Sequence, residues 1–167
     1  MNRKRLRKTV YASMFCALIF AATQISIPTP TVGNVNLGDA MLLLCAWMLG
    51  GAHAILAAAI GSALTDLLGA YAIYAPATLL IKGLMVASVL LVLRLTRRAH
   101  PYLSRFLSAI VAELIMILGY FLYEATVLSY GLGALANVPF NAVQGACGIL
   151  LAMLSYGLLS HIGIKIE

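Results

Sequence analysis

The chain has 167 residues, of which 63% are hydrophobic and only 10% are charged, against about half and about a quarter in soluble domains. This composition and a mean hydropathy of +1.01 exclude a soluble protein and indicate several membrane spans of about 20 apolar residues each. The formal net charge of +6 does not indicate nucleic-acid binding, because the basic residues cluster beside apolar runs, the pattern that orients membrane proteins.

Apolar runs in chain order predict one membrane domain over 1–167 with an all-α fold, a polytopic bundle of six transmembrane helices. After a basic segment at 1–8, the helices are predicted at about 8–27, 39–49, 53–68, 77–95, 103–128 and 138–161. The first run is interpreted as a span and not as a secretory signal, because no small-residue cleavage site precedes Pro28.

The second and third helices could instead form one long helix, because apolar residues continue from Ala40 to Leu68. Gly50-Gly51 interrupts this stretch and is a turn signal. With the break, four spans separate the basic N-terminus from the arginine cluster at 94–105, so both lie on the cytoplasmic side, as the positive-inside rule requires. We therefore expect a multi-pass protein of the cell membrane with both termini in the cytoplasm.

Three connections are then predicted on the outer side, and none of them contains Lys or Arg. The first carries Pro28 and Pro30, and the second carries Tyr71 and Tyr74. Loops stiffened by proline can lie across a pocket; the alternative is that they are ordinary short connectors. The three connections are 28–38, 69–76 and 129–139.

Polar side chains approach the outer side of the predicted helices. A charged group at that depth usually faces a partner, a cavity or a pathway, because burying it in lipid is costly. Asn137, Asn141 and Gln144 repeat at i, i+4 and i+7, so they share one face of the sixth helix. Amides, carboxylates and tyrosines can hold a small ring that bears hydroxyls or ring nitrogens. The predicted pocket residues are Asp66, Tyr74, Lys82, Tyr120, Glu124, Asn137, Asn141 and Gln144.

These polar groups also have a structural alternative. Lys82 would then pair with Asp66 or Glu124, and the amides would link helices through hydrogen bonds worth under about 2 kcal/mol each. Glu113 is the deepest acid and has no cationic neighbour in the sequence, so it is either protonated or paired with a basic group on the cytoplasmic side. Asp39 is as suited to be a helix N-cap as a ligand group.

The three cysteines, Cys16, Cys45 and Cys147, lie in apolar runs without CxxC spacing. Neither a disulfide framework nor a metal site is predicted, and no cofactor is expected.

Small residues recur on the first helix, where Ser13, Ala17 and Ala21 follow one another at four-residue steps. Such rows let helix backbones approach closely, so this face is a candidate docking surface. The third helix carries a similar row over 57–65.

Several motifs in this order resemble the S components of energy-coupling-factor (ECF) transporters. They are Ile25-Ser26-Ile27-Pro28, Leu37-Gly38-Asp39-Ala40, the stretch from Gly61 to Gly69, and Pro76 to Gly83. The last reads Pro-x-Thr-x-x-Ile-Lys-Gly and opens the fourth helix, as in the branch for riboflavin, pyridoxine or hydroxymethylpyrimidine. The resemblance extends over essentially the whole chain.

This resemblance implies a six-helix bundle that captures a vitamin at its outer face for ATP-driven uptake. It also implies partners, a membrane T component and two cytoplasmic ATPases, and the chain itself has no GxxxxGK[ST] motif. The family's alanine-xxx-alanine docking motif corresponds to Ala17 and Ala21, with Ser13 in place of an alanine one turn earlier. Pyridoxine or hydroxymethylpyrimidine is favoured as the ligand, and riboflavin is the alternative.

Two rival functions come from other classes. A stand-alone secondary transporter would show internal repeats and helices broken near the midplane, and no convincing repeat occurs here. An intramembrane enzyme would need a nucleophile with a base, a metal cluster or paired acids. His53, His100 and His161 fall near predicted cytoplasmic helix ends without HExxH spacing, so no catalytic residue and no enzyme is predicted.

Overall fold

The computed structural model describes residues 3–29 and 34–161. It contains six α-helices, which confirms the predicted all-α bundle. The helices are α1 (Arg3–Gln24), α2 (Gly38–Leu49), α3 (Gly51–Leu68), α4 (Ala75–Leu95), α5 (Pro101–Leu122) and α6 (Val138–His161). Shorter elements connect them at one end of the bundle: strands β1 (Ser26–Pro28) and β2 (Asn34–Asn36), 3-10 turns at Ala72–Tyr74 and Gly131–Asn137, and a π turn at Tyr123–Val127.

The first connection is a small antiparallel hairpin. Ile27 pairs with Val35, and Pro28 pairs with Asn34. A proline disfavours helical backbone in the residue before it, so the sequence leading to Pro28 leaves the helix early. The prediction that the first helix continues to residue 27 is therefore wrong, because α1 ends at Gln24.

The break between the second and third helices is confirmed. Gly50 and Gly51 have φ angles of 61° and 63°, a left-handed conformation that residues with a side chain rarely adopt. Beyond the break, α3 runs parallel to α1. Gly61 lies so close to α1 that an added methyl group would come within 2.6 Å of the backbone oxygen of Cys16, and Thr65, one turn on, donates to the backbone oxygen of Phe20 at 3.5 Å.

Five of the six described helices, all except α2, are long and apolar enough to cross a membrane. With twelve residues, α2 is only about 18 Å long, shorter than a hydrocarbon core of about 30 Å. It contacts α1, α3, α4 and α6, and its Leu42, Leu43 and Trp47 are almost fully buried. This short helix is the centre of the bundle.

The alternation of helix directions separates the two ends of the bundle. The basic start of α1 and the arginine cluster at 94–105 lie at one end. The hairpin, the Ala72–Tyr74 turn and the segment from Tyr123 to Asn137 meet at the other. The three connections without Lys or Arg therefore come together in space.

Candidate functional site

A cavity opens at the end of the bundle where these three connections meet. It encloses about 530 Å³ of space, including the part open to solvent. Strand β2 and Thr29 of the hairpin, both 3-10 turns, the π turn and helices α3 to α6 contribute to its wall. The lining residues are Thr29, Asn34, Asn36, Asp66, Tyr71, Tyr74, Thr78, Tyr120, Glu124, Asn137, Phe140, Asn141 and Gln144.

Glu124 joins three elements on one side of the cavity. It lies in the π turn that follows α5 and is only 3% exposed. The Tyr74 hydroxyl donates to its Oε1 at 3.2 Å, and the Asn137 amide donates to its Oε2 at 2.8 Å. Hydrogen bonds to a charged acceptor are the stronger kind, so Glu124 fixes the two 3-10 turns relative to the end of α5. π turns are rare and occur often at functional sites.

A second group of hydrogen bonds runs from α3 to α5 across the cavity wall. The Thr78 hydroxyl donates to Oδ2 of Asp66 and lies 3.0 Å from the Tyr120 hydroxyl. Threonine has one hydroxyl hydrogen, so Tyr120 must be the donor in that second bond. Oδ1 of Asp66 has no hydrogen-bond partner within residues 3–29 and 34–161, which leaves it able to accept from a ligand.

Gln144 forms the floor of the cavity and links it to the helix beneath. Its Nε2 donates to Oδ2 of Asp39 at 2.6 Å, and its Oε1 accepts from the backbone N–H of Asn36 at 3.0 Å. The hairpin is thereby held against α6. Asn141, one turn towards the mouth, also lines the cavity, and the described part of the chain provides no hydrogen-bond partner for its amide.

Lys82 is not among the described residues that line the cavity. It is 4% exposed and pairs with Asp39, which is 1% exposed. Its ammonium group also lies 5.8 Å from the centre of the Tyr120 ring. The alternative in which Lys82 pairs with Asp66 or Glu124 is therefore wrong, because Asp39 of α2 lies closer.

Asp39 is not a helix N-cap, which corrects one reading of the sequence. The N-cap position of α2 is Leu37, which makes no side-chain cap hydrogen bond, and Asp39 lies inside the first turn. Both of its carboxylate oxygens are occupied, one by Lys82 and one by Gln144. It is a buried partner and not a group open to ligand.

Glu113 lies beside this ion pair. An added methyl group on Gly148 of α6 would come within 3.0 Å of Cβ of Asp39 and 3.5 Å of Oε1 of Glu113. One on Gly145 would come within 3.1 Å of the Glu113 side chain. These two glycines leave room for both carboxyl groups. The Glu113 oxygens are buried and make no hydrogen bond within the described ranges.

Comparison with known proteins identifies the family. A family model described as the ECF-type riboflavin transporter S component matches residues 3–160. The chain belongs to this S-component family. A protein of Pyrococcus woesei, described as an uncharacterized protein in a gap 3′ region, is 32% identical over 145 residues, which are 86% of this chain and 95% of that protein.

The fold of this S component is also similar to a solved structure. The description of that structure reads "Structure and mechanism of the S component of a bacterial ECF transporter". The TM-score is 0.72 at 21% identity, over 96% of this chain and 99% of the other. At this identity the likeness concerns the fold, and it agrees with the six-helix bundle described above.

The structure brings together seven of the eight residues predicted for the pocket, all except Lys82. Six further lining residues were not predicted as ligand groups. Asn34 and Asn36 lie in the hairpin, where no helical periodicity could indicate their direction. Thr78 had a signal, because it stands one helical turn before Lys82 in the Pro76 to Gly83 motif. The other three are Thr29, Tyr71 and Phe140.

The predicted docking residues Ser13, Ala17 and Ala21 are all exposed on α1. Ser13 and Ala17 line a groove between α1 and α3, and the Ser13 hydroxyl donates within its own helix to the backbone oxygen of Thr9 at 3.1 Å. The groove is mostly apolar; its other residues are Thr9, Ala12, Cys16, Phe20, His53, Leu56, Ala57, Ile60, Leu64 and Leu68.

Proposed function

We propose that this S component captures a water-soluble vitamin in the cavity and delivers it for ATP-driven uptake. The observation that carries the proposal is the cavity itself. Amides and hydroxyls from all three connections, together with two carboxyl groups from the adjoining α3 and π turn, surround one space at one end of an apolar bundle. Polar groups in a membrane protein are costly unless they face partners or a pathway, and Asn141 and Oδ1 of Asp66 face the cavity without a partner in the described structure.

The direction of the cavity follows from the charges. The N-terminal turn of α1 and the arginine cluster at 94–105 lie at the end opposite the cavity. The positive-inside rule places such clusters in the cytoplasm. The cavity then opens to the outside of the cell membrane, where a scarce solute is captured, and both termini lie in the cytoplasm.

Riboflavin is the first candidate for the ligand, because the matching family is described by that vitamin. The rings of Tyr71, Tyr74, Tyr120 and Phe140 offer faces for a flat ring system. Pyridoxine and hydroxymethylpyrimidine, favoured by resemblance alone, are the second candidates.

The proposed partners are a membrane T component and two cytoplasmic ATPases. Only 11% of the α1 span is buried within the bundle, against 44% of the α3 span. The small residues Ser13, Ala17 and Ala21 on the exposed side of α1 would let a helix of the T component approach closely. The apolar groove beside them supports α1 as the docking face.

The test uses the purified protein and proteoliposomes. Thermal shift and fluorescence titration with riboflavin, pyridoxine and hydroxymethylpyrimidine should identify one vitamin that binds tightly. Expression with tagged ATPases should recover the T component and ATPases with the S component, and uptake should require ATP. Uptake that proceeds in proteoliposomes without ATPases would support a stand-alone secondary transporter and contradict the proposal.

A further inference from the structure

The described lining of the cavity contains acidic side chains and no basic one. Among its described lining residues are two carboxylates, Asp66 and Glu124, and no Lys, Arg or His. The sequence explains why. Lys82 is the only Lys or Arg between Lys8 and Arg94. Every Lys or Arg from 94 to 161 belongs to the arginine cluster at 94–105, at the end of the bundle opposite the cavity. No loop around the cavity has a cation to contribute.

Lys82 cannot serve as that cation, because it is already bound. Its ammonium group pairs with Asp39 below the cavity floor, and both side chains are buried. Gln144 lies between this pair and the cavity, with its Nε2 on Asp39. Turning Lys82 towards a ligand would leave Asp39 buried without a counter-charge, which is strongly destabilising.

The two lining carboxylates are held by neutral donors. Glu124 accepts from Tyr74 and Asn137, and Asp66 accepts from Thr78. Hydrogen bonds of this kind stabilise a carboxylate without cancelling its charge. Oδ1 of Asp66 adds an acceptor open to the cavity, so the site suits a ligand that donates hydrogen bonds through hydroxyl or N–H groups.

Helix N-termini are a further source of positive potential, and here they are occupied. Three helices begin at this end of the bundle, α2, α4 and α6. The first N–H of α2, on Gly38, donates to the side-chain oxygen of Asn36 at 3.0 Å, and Asp39 lies in the same first turn. Helices α4 and α6 each follow a 3-10 turn whose carbonyl accepts the first N–H: Ala75 donates to Ala72, and Val138 donates to Leu135. Pro76 and Pro139 lie in the first turns and have no N–H. The free N–H groups that bind phosphate at helix starts are therefore fewer at all three helices.

We propose that the cavity selects the unphosphorylated vitamin and rejects its phosphate ester. The inference rests on the proposed function and adds a charge class for the ligand. A phosphate ester carries about −1.5 to −2 charges at neutral pH, and proteins usually bind it with Arg or Lys. In this cavity it would meet two carboxylates in a partly buried site, where repulsion is screened less than in water. Asp66 and Glu124 are the residues that determine this specificity.

The experiment compares matched pairs of ligands on the purified, detergent-solubilised protein. The pairs are riboflavin with riboflavin 5′-phosphate and pyridoxine with pyridoxine 5′-phosphate, measured by titration calorimetry at one pH and salt concentration. For the vitamin that binds, the Kd of the ester should be higher by at least about tenfold. Equal Kd values for a free vitamin and its ester would overturn the inference while leaving the proposed function in place.

Two variants test the cause of the discrimination. Asp66→Asn and Glu124→Gln each remove one lining charge, and each should lower the ratio of the two Kd values. Glu113→Gln is the matched control, because it makes the same change in a carboxyl group that is not among the lining residues, and it should leave the ratio unchanged. An unchanged ratio in both lining variants would overturn the inference. If neither free vitamins nor esters bind to the wild-type protein, the proposed function fails and the inference fails with it.

Discussion

Two polar regions lie one above the other in this bundle, and they differ in what satisfies their polar groups. The cavity has hydrogen-bonding groups left over, namely Asn141 and Oδ1 of Asp66, within the described structure. In the region below it, which we call the deep layer and define as Asp39 and Lys82, the two buried charges pair with each other. Gln144 contacts both regions, because it lines the cavity and donates to Asp39.

The difference shows that a buried polar group in a membrane protein can have either of two roles, in the scaffold or in ligand binding. In the deep layer the charge is part of the scaffold, and its removal should lower stability. In the cavity the polar group is available to bind a ligand, and its removal should lower the affinity for the vitamin. Substitutions that separate stability from affinity therefore test the assignment of each residue.

The largest effect on stability is expected for Lys82→Ala. Loss of the ammonium group leaves Asp39 buried without a counter-charge, which should cost about 3–5 kcal/mol in the free energy of unfolding. Thermal unfolding in detergent should show a clear fall in Tm. The double variant Asp39→Asn with Lys82→Met removes both charges and should recover part of the loss. An unchanged Tm with weaker vitamin binding would place Lys82 in the site instead.

A mixed effect is expected for Glu124→Ala, because Glu124 lines the cavity and also holds Tyr74 and Asn137. Losing two hydrogen bonds to a carboxylate should cost about 3 kcal/mol in the free energy of unfolding, and the vitamin Kd should rise as the two 3-10 turns lose their common partner. Unfolding and titration of the same preparation check both values. If only the Kd changes, the link between the turns is unimportant.

Asn141→Ala should separate affinity from stability. Its amide makes no hydrogen bond within the described structure, so Tm should stay near the wild-type value. The loss of one or two hydrogen bonds to the ligand should raise the vitamin Kd by about tenfold. Val143→Ala is the control, because Val143 lies on the exposed side of the same helix and should change neither value. A lower Tm with an unchanged Kd in Asn141→Ala would make Asn141 a structural residue.

The smallest effect on both regions is expected for Ala17→Leu, because Ala17 lies on the exposed face of α1 away from them. Tm and the vitamin Kd should stay unchanged, whereas ATP-driven uptake in proteoliposomes should fall, since the larger side chain blocks close approach of a T-component helix. Ala142→Leu makes the same enlargement on the exposed side of α6 and should leave uptake intact. Normal uptake by Ala17→Leu would refute the docking assignment.

Much of this arrangement follows from the sequence, for identifiable physical reasons. The six-helix bundle follows from apolar length, and the break at Gly50-Gly51 follows from the positions of the basic clusters. Asn137, Asn141 and Gln144 were placed together because helical periodicity puts them on one face. Each of these predictions depends on residues near one another in the sequence or on the positions of charged residues, so none requires knowledge of tertiary contacts.

The partners of the buried charges could not be predicted in the same way. The cost of burying Lys82 indicates that it has a partner or faces a cavity, and several acids in the sequence meet that need. Asp39 is the acid that pairs with Lys82, because α2 lies at the centre of the bundle and contacts α4. The hairpin residues Asn34 and Asn36 were missed because strand pairing, and not helical spacing, sets their direction.

Labelling of a single cysteine at position 141 tests the central claim most directly. Cys16, Cys45 and Cys147 would first be replaced by alanine, and Asn141→Cys introduced in that background. A membrane-impermeant maleimide added outside intact cells should label position 141, and the vitamin that binds, added well above its Kd for this variant, should slow the labelling. Labelling at an unchanged rate in the presence of that vitamin, or labelling only from the cytoplasmic side, would contradict an outward-facing vitamin site in this cavity.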